Sequence, residues 1–158
     1  MKLYRLLPLV LIVLLSSGCG RTVRDTAAQD RLSDEELLDL VQKNTFQYFW
    51  DGAEPHSGLA RERFHVDGNY PENDKNVVTS GGGGFGVMAI LVGIERGYIT
   101  REEGRQRLEK IVSLLETADR YHGAWPHWWN GETGKTKPFS KKDNGGDLVE
   151  TSFMLQGL

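Results

Sequence analysis

The sequence is poor in cysteine and has no strong excess of either charge. Its 158 residues include a single cysteine, Cys19, so no disulfide can form within the chain. The formal net charge at pH 7 is −3, which gives no reason to expect the basic face that nucleic-acid-binding proteins carry. We therefore predict a soluble globular domain with no nucleic-acid partner.

Closely spaced metal ligands are also missing. The histidines, His56, His65, His122 and His127, show no i,i+4 spacing, and no cysteine cluster accompanies them. Residues 81–86 fit the dinucleotide-binding pattern G-x-G-x-x-G, yet no proper strand precedes them and no βαβ unit surrounds them. The sequence predicts no metal and no cofactor, and close backbone approach at the start of a buried helix explains the glycines better.

No apolar run at the N-terminus is long enough to cross a bilayer as a stable helix. The run at residues 6–15 follows Lys2 and Arg5 and is too short to span, which is typical of a signal peptide. The small residues after it end at Cys19, where a lipoprotein would be lipidated. Ser16 departs from this pattern, which more often has a branched apolar residue there.

We therefore expect residues 1–19 to be a lipoprotein signal peptide, with lipid attachment at Cys19, and residues 20–32 to be a polar tether. This predicts an exported protein of the bacterial cell envelope whose membrane contact is the lipid anchor only. The alternative is an ordinary signal peptide with a cysteine nearby by chance.

Two later segments read as amphipathic helices that begin with capping boxes. Ser33 with Glu36 starts a helix that runs to about Trp50, and Thr100 with Glu103 starts another. In both helices apolar residues recur at three- and four-residue spacing. We expect each to cover the core with one face.

Two further segments read as buried helices. Residues 85–96 are apolar nearly all round and stop at Gly97, and a second such helix starts near Asp147 and still runs at Leu158. Amphipathic and buried helices thus alternate, which predicts an all-α double layer. Residues 77–79 are too short for a convincing strand, although a small hairpin within the first long loop stays open.

The loops before the two buried helices are long. Residues 51–84 and 120–146 are rich in aromatic and turn residues, and long ordered loops are uncommon without a function. In an antiparallel stack both loops lie at the same end. We expect any active site there.

The strongest chemical signal is an acidic cluster at the start of the last helix. Asp143, Asp147 and Glu150 lie within eight residues, and glycosidases need paired carboxyl groups. The alternative is structural, with Asp147 as N-cap and Glu150 as its capping-box partner. Spacing alone does not decide between the two.

An aromatic loop precedes the acidic cluster. Trp125, Trp128 and Trp129 lie within five residues, and flat indole rings suit the C–H faces of sugars. The alternative is a loop held by its own aromatic packing. We favour sugar binding because this loop leads into the acidic cluster.

Five motifs together resemble the glycoamylase-like domain family, which includes the β-1,2-glucanases of glycoside hydrolase family 144. The resemblance covers residues 33–158 and rests on residues 45–51, 57–61, 79–86, 123–128 and 143–150. It implies a partial (α/α)6 toroid with about four of the twelve helices. The chain would then be the N-terminal third of such a domain, a fragment that is inactive on its own.

The resemblance also implies an inverting glycoside hydrolase that acts on a glucan outside the cytoplasm. Asp143, Asp147 and Glu150 would line the subsite at the scissile bond. The five substrate-binding residues would be Arg61, Trp125, His127, Trp128 and Trp129. Two alternatives stay open, a non-catalytic glycan-binding lipoprotein and an inactive truncated fragment.

Overall fold

The computed structural model describes residues 31–158, and the predicted signal peptide, Cys19 and residues 20–30 of the tether lie outside the described residues. The described part contains four helices and two short strands. In chain order these are α1 Asp34–Trp50, β1 Val77–Thr79, α2 Ser80–Glu95, α3 Arg101–Thr117, β2 Trp128–Asn130 and α4 Leu148–Gly157. Residues Leu38–Leu158 form one compact unit, which contains the core and the candidate site.

The helix ends follow the predicted local signals. Thr100 and Glu103 form a capping box at the start of α3. Ser33 and Glu36 do the same for α1, with the Glu36 N–H donating to Ser33 Oγ at 3.3 Å and the Ser33 N–H donating to Glu36 Oε2 at 2.8 Å. Gly97 has a φ of +68° just after α2, a conformation that favours glycine. Among residues 31–158, no helix has both the length and the apolar character needed to cross a bilayer.

Helix α2 begins five residues earlier than predicted, at Ser80 rather than Phe85. The glycines of the G-x-G-x-x-G match therefore lie inside the helix and not in a phosphate-binding loop. A Cβ on Gly84 would lie 2.2 Å from the Phe153 carbonyl oxygen, and one on Gly157 would lie 2.3 Å from the Gly84 carbonyl oxygen. The glycines thus allow the backbones of α2 and α4 to touch, as the sequence indicated.

The expectation that α2 is buried on every side is wrong for this structure. Val87 and Ile90 are buried against the rest of the core, whereas Phe85, Met88 and Leu91 are exposed. Helix α2 packs against α3 and α4, and Phe46 of α1 lies against Gly93, yet these neighbours leave Phe85, Met88 and Leu91 exposed. Helix α1 is similar, since Phe46 is its one buried residue.

The two short strands join the two long loops. β1 pairs with β2 in antiparallel register, with Val78 opposite Trp129, and both side chains are fully buried. Within the first loop itself, isolated antiparallel bridges join Ala53 to Ala60 and Arg61 to Val78, which agrees with the small hairpin that the sequence left open. The pairing of β1 with β2 brings residues 51–76 and 131–147 together at the end of the molecule where α2 and α4 begin.

Candidate active site

Asp147 caps helix α4, as one of the two sequence interpretations proposed. Its Oδ1 accepts hydrogen bonds from the backbone N–H groups of Val149 at 2.9 Å and Glu150 at 3.0 Å. Its other oxygen, Oδ2, lies 3.6 Å from Nδ1 of His127. The carboxylate therefore fixes the start of the helix with one oxygen and meets an imidazole with the other.

Glu150 does not complete a capping box. Its Oε2 accepts a hydrogen bond of 2.8 Å from the Gly81 N–H, in the first turn of α2. The Asp147 N–H, which a capping box would use, donates instead to the Trp125 carbonyl at 2.8 Å. Glu150 thus lies at the N-terminal, electropositive end of α2 and links the two helices.

His127 brings the acidic residues together. Its Nδ1 lies 3.3 Å from Asp143 Oδ2, which adds to the contact with Asp147. If His127 donates the hydrogen bond to Asp143, its proton is on Nδ1. The sequence grouped His127 with the sugar-binding loop, and the structure places its imidazole between two of the three carboxylates.

His127, Asp143 and Asp147 are also the group within the described residues that could hold a metal ion. One ligand atom from each lies within 4.8 Å of the others. Asp143 and Asp147 follow His127 by 16 and 20 residues, so no local spacing pattern predicts a metal site here. The His127–Asp143 hydrogen bond and the helix cap formed by Asp147 account for this geometry, so the arrangement alone assigns no ion.

The tryptophans divide into buried and accessible rings. Trp129 has no exposed surface, and Trp125 is 7% exposed. The two rings pack edge to face, with 6.2 Å between their centroids. The stacking role predicted for Trp129 is therefore wrong, and Trp125 packs in the core as the alternative proposed. Trp128 is half-buried, and its ring centroid lies 4.7 Å from that of Phe139. Phe139 is 51% exposed.

Phe139 was missed by the sequence analysis. Its ring stacks on the His127 imidazole, with 4.5 Å between the ring centroids and an interplanar angle of 7°. Trp128, Phe139 and His127 thus form a continuous aromatic surface that leads to Asp143 and Asp147. The sequence signal that could have identified Phe139 was its position between the aromatic loop and the acidic cluster.

The chain is similar to several known proteins. An exo β-1,2-glucooligosaccharide sophorohydrolase (non-reducing end) of Parabacteroides distasonis is 58% identical over 128 residues, which is 80% of this chain and 17% of that protein. An endo-β-1,2-glucanase of Chitinophaga pinensis, solved with sophorotriose and glucose, is 76% identical with a TM-score of 0.77. A β-1,2-glucanase structure from Parabacteroides distasonis is 56% identical with a TM-score of 0.72. No family model matches the chain.

Over 80% of its residues, the chain is similar to β-1,2-glucanases with a glucoamylase-like fold. It covers 30% of the Chitinophaga structure and 17% of the Parabacteroides structure, with 80% of its own residues in each match. The predicted partial α/α toroid is confirmed for this part, with four helices in the described residues.

Arg61 stabilises the first long loop. Its guanidinium donates to the carbonyls of Gly52 at 3.1 Å, Ala53 at 2.7 Å and Lys75 at 2.9 Å. It also lies 4.3 Å from the centroid of the Tyr70 ring. These contacts use the N–H groups of Nε and Nη1, and they hold the first long loop in place.

Glu54 is a buried carboxylate that the sequence analysis did not single out. Its side chain is fully buried, and it accepts hydrogen bonds from the N–H groups of His56 and Ser57, from Ser57 Oγ and from His56 Nδ1. Burial raises the pKa of Glu54, but these hydrogen bonds outweigh it and leave the pKa below its ordinary value. Because its hydrogen-bond partners are local, we interpret Glu54 as a residue that stabilises the first loop.

Proposed function

We propose that this chain provides part of the active site of a glycoside hydrolase that cleaves β-1,2-linked glucan by an inverting mechanism. The observation that carries the proposal is the convergence of Asp143, Asp147 and Glu150 with His127 where α2 and α4 begin. The identity of 76% to an endo-β-1,2-glucanase supports the linkage. As the chain spans 30% of that structure, the activity proposed is that of the whole protein.

An inverting glycosidase needs one carboxyl group that protonates the leaving oxygen and another that activates water, roughly 6.5–9.5 Å apart. Asp147 and Glu150 each have an oxygen engaged by backbone N–H groups at a helix start, which fixes their orientation. Asp143 is held by His127 instead. We assign activation or positioning of the water to this cluster, with Asp143 as the first candidate and the acid supplied by another part of the protein.

The accessible aromatic surface supports sugar binding beside the carboxylates. Trp128 and Phe139 expose ring surface next to His127, and sugar rings present apolar C–H faces to such rings. A glucose unit stacked there would lie next to Asp143 and Asp147. This arrangement favours an oligosaccharide over a small charged ligand.

We also propose that the protein is exported to the bacterial cell envelope and held there by lipid on Cys19. The support is the positively charged start, the short apolar run and the small residues before the cysteine. A glucan outside the cytoplasm would then be within reach of the enzyme.

The test removes the charge of each carboxylate and keeps its shape. Turnover of β-1,2-glucooligosaccharides is measured for Asp143→Asn, Asp147→Asn and Glu150→Gln, both in this chain and in a chimera. The chimera carries residues 31–158 in place of the matching segment of the Chitinophaga enzyme. We expect at least one variant to lose about 10²-fold or more in kcat with folding intact.

Capping alone predicts a different result. Asn caps a helix as well as Asp does, so Asp147→Asn would be nearly silent if its role were structural. Parental turnover in all three chimeras would refute the catalytic assignment. Oligosaccharide binding by a chimera that shows no turnover would instead favour a non-catalytic glycan-binding protein.

A further inference from the structure

The backbone that carries His127 is clamped by a buried serine. Ser80 is fully buried at the start of α2, and its Oγ donates to the Pro126 carbonyl at 2.7 Å. The N–H of the same serine donates to the His127 carbonyl at 3.2 Å. One residue thus fixes two successive carbonyls of the His127 segment.

A second buried hydroxyl clamps the same segment from α4. Thr151 is 9% exposed, and its Oγ1 accepts from the Trp125 N–H at 2.9 Å and donates to the Trp125 carbonyl at 3.2 Å. The Asp147 N–H also donates to that carbonyl. The segment 125–127 is therefore hydrogen-bonded to the starts of both α2 and α4.

The two clamps are adjacent to the contact between the helices. Ser80 precedes Gly81, whose N–H binds Glu150, and Thr151 follows Glu150. Two pairs of neighbouring residues, Ser80–Gly81 on α2 and Glu150–Thr151 on α4, thus hold the Glu150 carboxylate and the His127 backbone in fixed relative positions. A shift of either hydroxyl would move His127 relative to Asp143 and Asp147.

We propose that Ser80 and Thr151 are positioning residues of the active site. Their hydroxyls hold His127 so that its Nδ1 hydrogen-bonds to Asp143 and lies 3.6 Å from Asp147 Oδ2, and so fix the position of the imidazole between the two carboxylates. This role rests on the proposed function. A misplacement of about 1 Å at a catalytic group can cost about 10²-fold in rate, so positioning of this kind has a measurable effect.

The chain offers matched variants for the test. Thr151→Val keeps the shape of the side chain and removes the hydroxyl, whereas Thr151→Ser keeps the hydroxyl. Ser80→Ala tests the second clamp on its own. Ser57→Ala is the control, because Ser57 is equally buried and donates to Glu54 at 2.7 Å, away from His127.

Steady-state kinetics in the chimera give the first readout. We expect Thr151→Val and Ser80→Ala to lower kcat by about 10-fold or more with KM changed by less than about twofold. Thr151→Ser should return kcat to near the parental value. Ser57→Ala should lose a similar amount of unfolding free energy and keep its kcat. Equal kcat in Thr151→Val and Thr151→Ser would overturn the proposal.

A second readout does not depend on activity. In ¹⁵N NMR of the chain, the His127 imidazole should show a protonated, hydrogen-bonded Nδ1 in the parent and in Thr151→Ser. Thr151→Val and Ser80→Ala should lose this signal while the backbone spectrum stays dispersed. A retained signal in both variants would overturn the positioning role. If the parent shows the signal and the two variants lose it, but the parent chimera has no turnover, the proposed function alone is refuted.

Discussion

At the scale of single residues, the carboxylates of this chain are stabilised in different ways. Glu54 is buried and held by four hydrogen bonds from two neighbouring residues. Asp147 and Glu150 use backbone N–H groups at helix starts, and Asp143 uses an imidazole. Their surroundings therefore suggest a structural role for the first and a chemical role for the cluster.

Glu54 should make folding sensitive to acid. The pKa of Glu54 is lower in the folded chain than its ordinary value of 4.5. The ionised side chain thus contributes stability that is fully present above about pH 4.5 and is lost as pH falls through the lower folded pKa. We expect the unfolding free energy to fall less steeply with acid in Glu54→Gln than in the parent, as measured by urea denaturation.

At pH 7 the same substitution should cost about 1–3 kcal/mol, because the NH₂ group of Gln would face two of the four donors that bind Glu54. Parallel pH profiles for Glu54→Gln and the parent would show that Glu54 is not the ionised group that the contacts indicate.

Phe139 should contribute to sugar binding without contributing much to folding. Its ring is 51% exposed, so Phe139→Ala removes an accessible stacking face and creates little cavity. We expect the binding free energy of sophorotriose to weaken by about 0.5–1.5 kcal/mol, with the aromatic-pair value as a proxy. Calorimetry on the chimera measures it, and Phe139→Tyr should bind like the parent.

Trp125→Ala is the contrasting variant. Because Trp125 is buried, its loss should cost about 3–5 kcal/mol of folding stability. Unchanged sophorotriose affinity in Phe139→Ala would assign the exposed ring to packing against His127.

Residue roles could be predicted from the sequence where the cause is local. The cap at Asp147 depends on the next three residues, and it was one of the two interpretations that the sequence offered. The partner of Glu150 lies 69 residues earlier in the chain, at Gly81, so no local pattern could distinguish this contact from a capping box. Trp129 and Trp128 are adjacent and chemically alike, and only the pairing of β2 shows which of them is buried.

At the scale of helices and strands, the predicted ends were accurate where a cap defines them. Thr100 and Gly97 mark their helix ends within the structure as predicted. The start of α2 was missed, because a run of glycine disfavours a helix on propensity alone. Its reason lies in tertiary packing, since Gly84 meets α4 backbone to backbone.

Gly84→Ala should therefore weaken the packing of α2 on α4. The added methyl would lie 2.2 Å from the Phe153 carbonyl oxygen, which cannot move without moving the helix. We expect a loss of about 1–3 kcal/mol or more in unfolding free energy. Gly86→Ala is the control in the same helix, because its methyl would meet only a Phe49 side-chain atom at 3.3 Å.

Gly86→Ala should stay within about 1 kcal/mol of the parent, since the gain in helix propensity offsets a small adjustment of Phe49. Thermal denaturation of both variants compares them directly. A Gly84→Ala protein as stable as Gly86→Ala would mean that the two backbones are farther apart than the structure places them.

At the scale of the whole molecule, the N-terminal sequence predicts where the protein is found. If Cys19 carries lipid, Cys19→Ala should move the protein from the membrane fraction to the soluble fraction of cells that process lipoproteins. Immunoblotting of the two fractions measures the shift, and Ser17→Ala, which keeps a small residue before the cysteine, is the control. Membrane association that survives Cys19→Ala would show that residues 6–15 stay attached as an uncleaved anchor.

The contacts that close the site also have a consequence for the order of folding. The Ser80–Pro126 contact spans 46 residues and the Gly81–Glu150 contact spans 69, whereas the caps of α1 and α3 span three. Distant contacts form only after the entropy of closing a long loop has been lost, so local helices have the kinetic advantage. We expect refolding chains to regain helical circular dichroism before they regain sugar binding, with the His127 clamp among the last contacts to form.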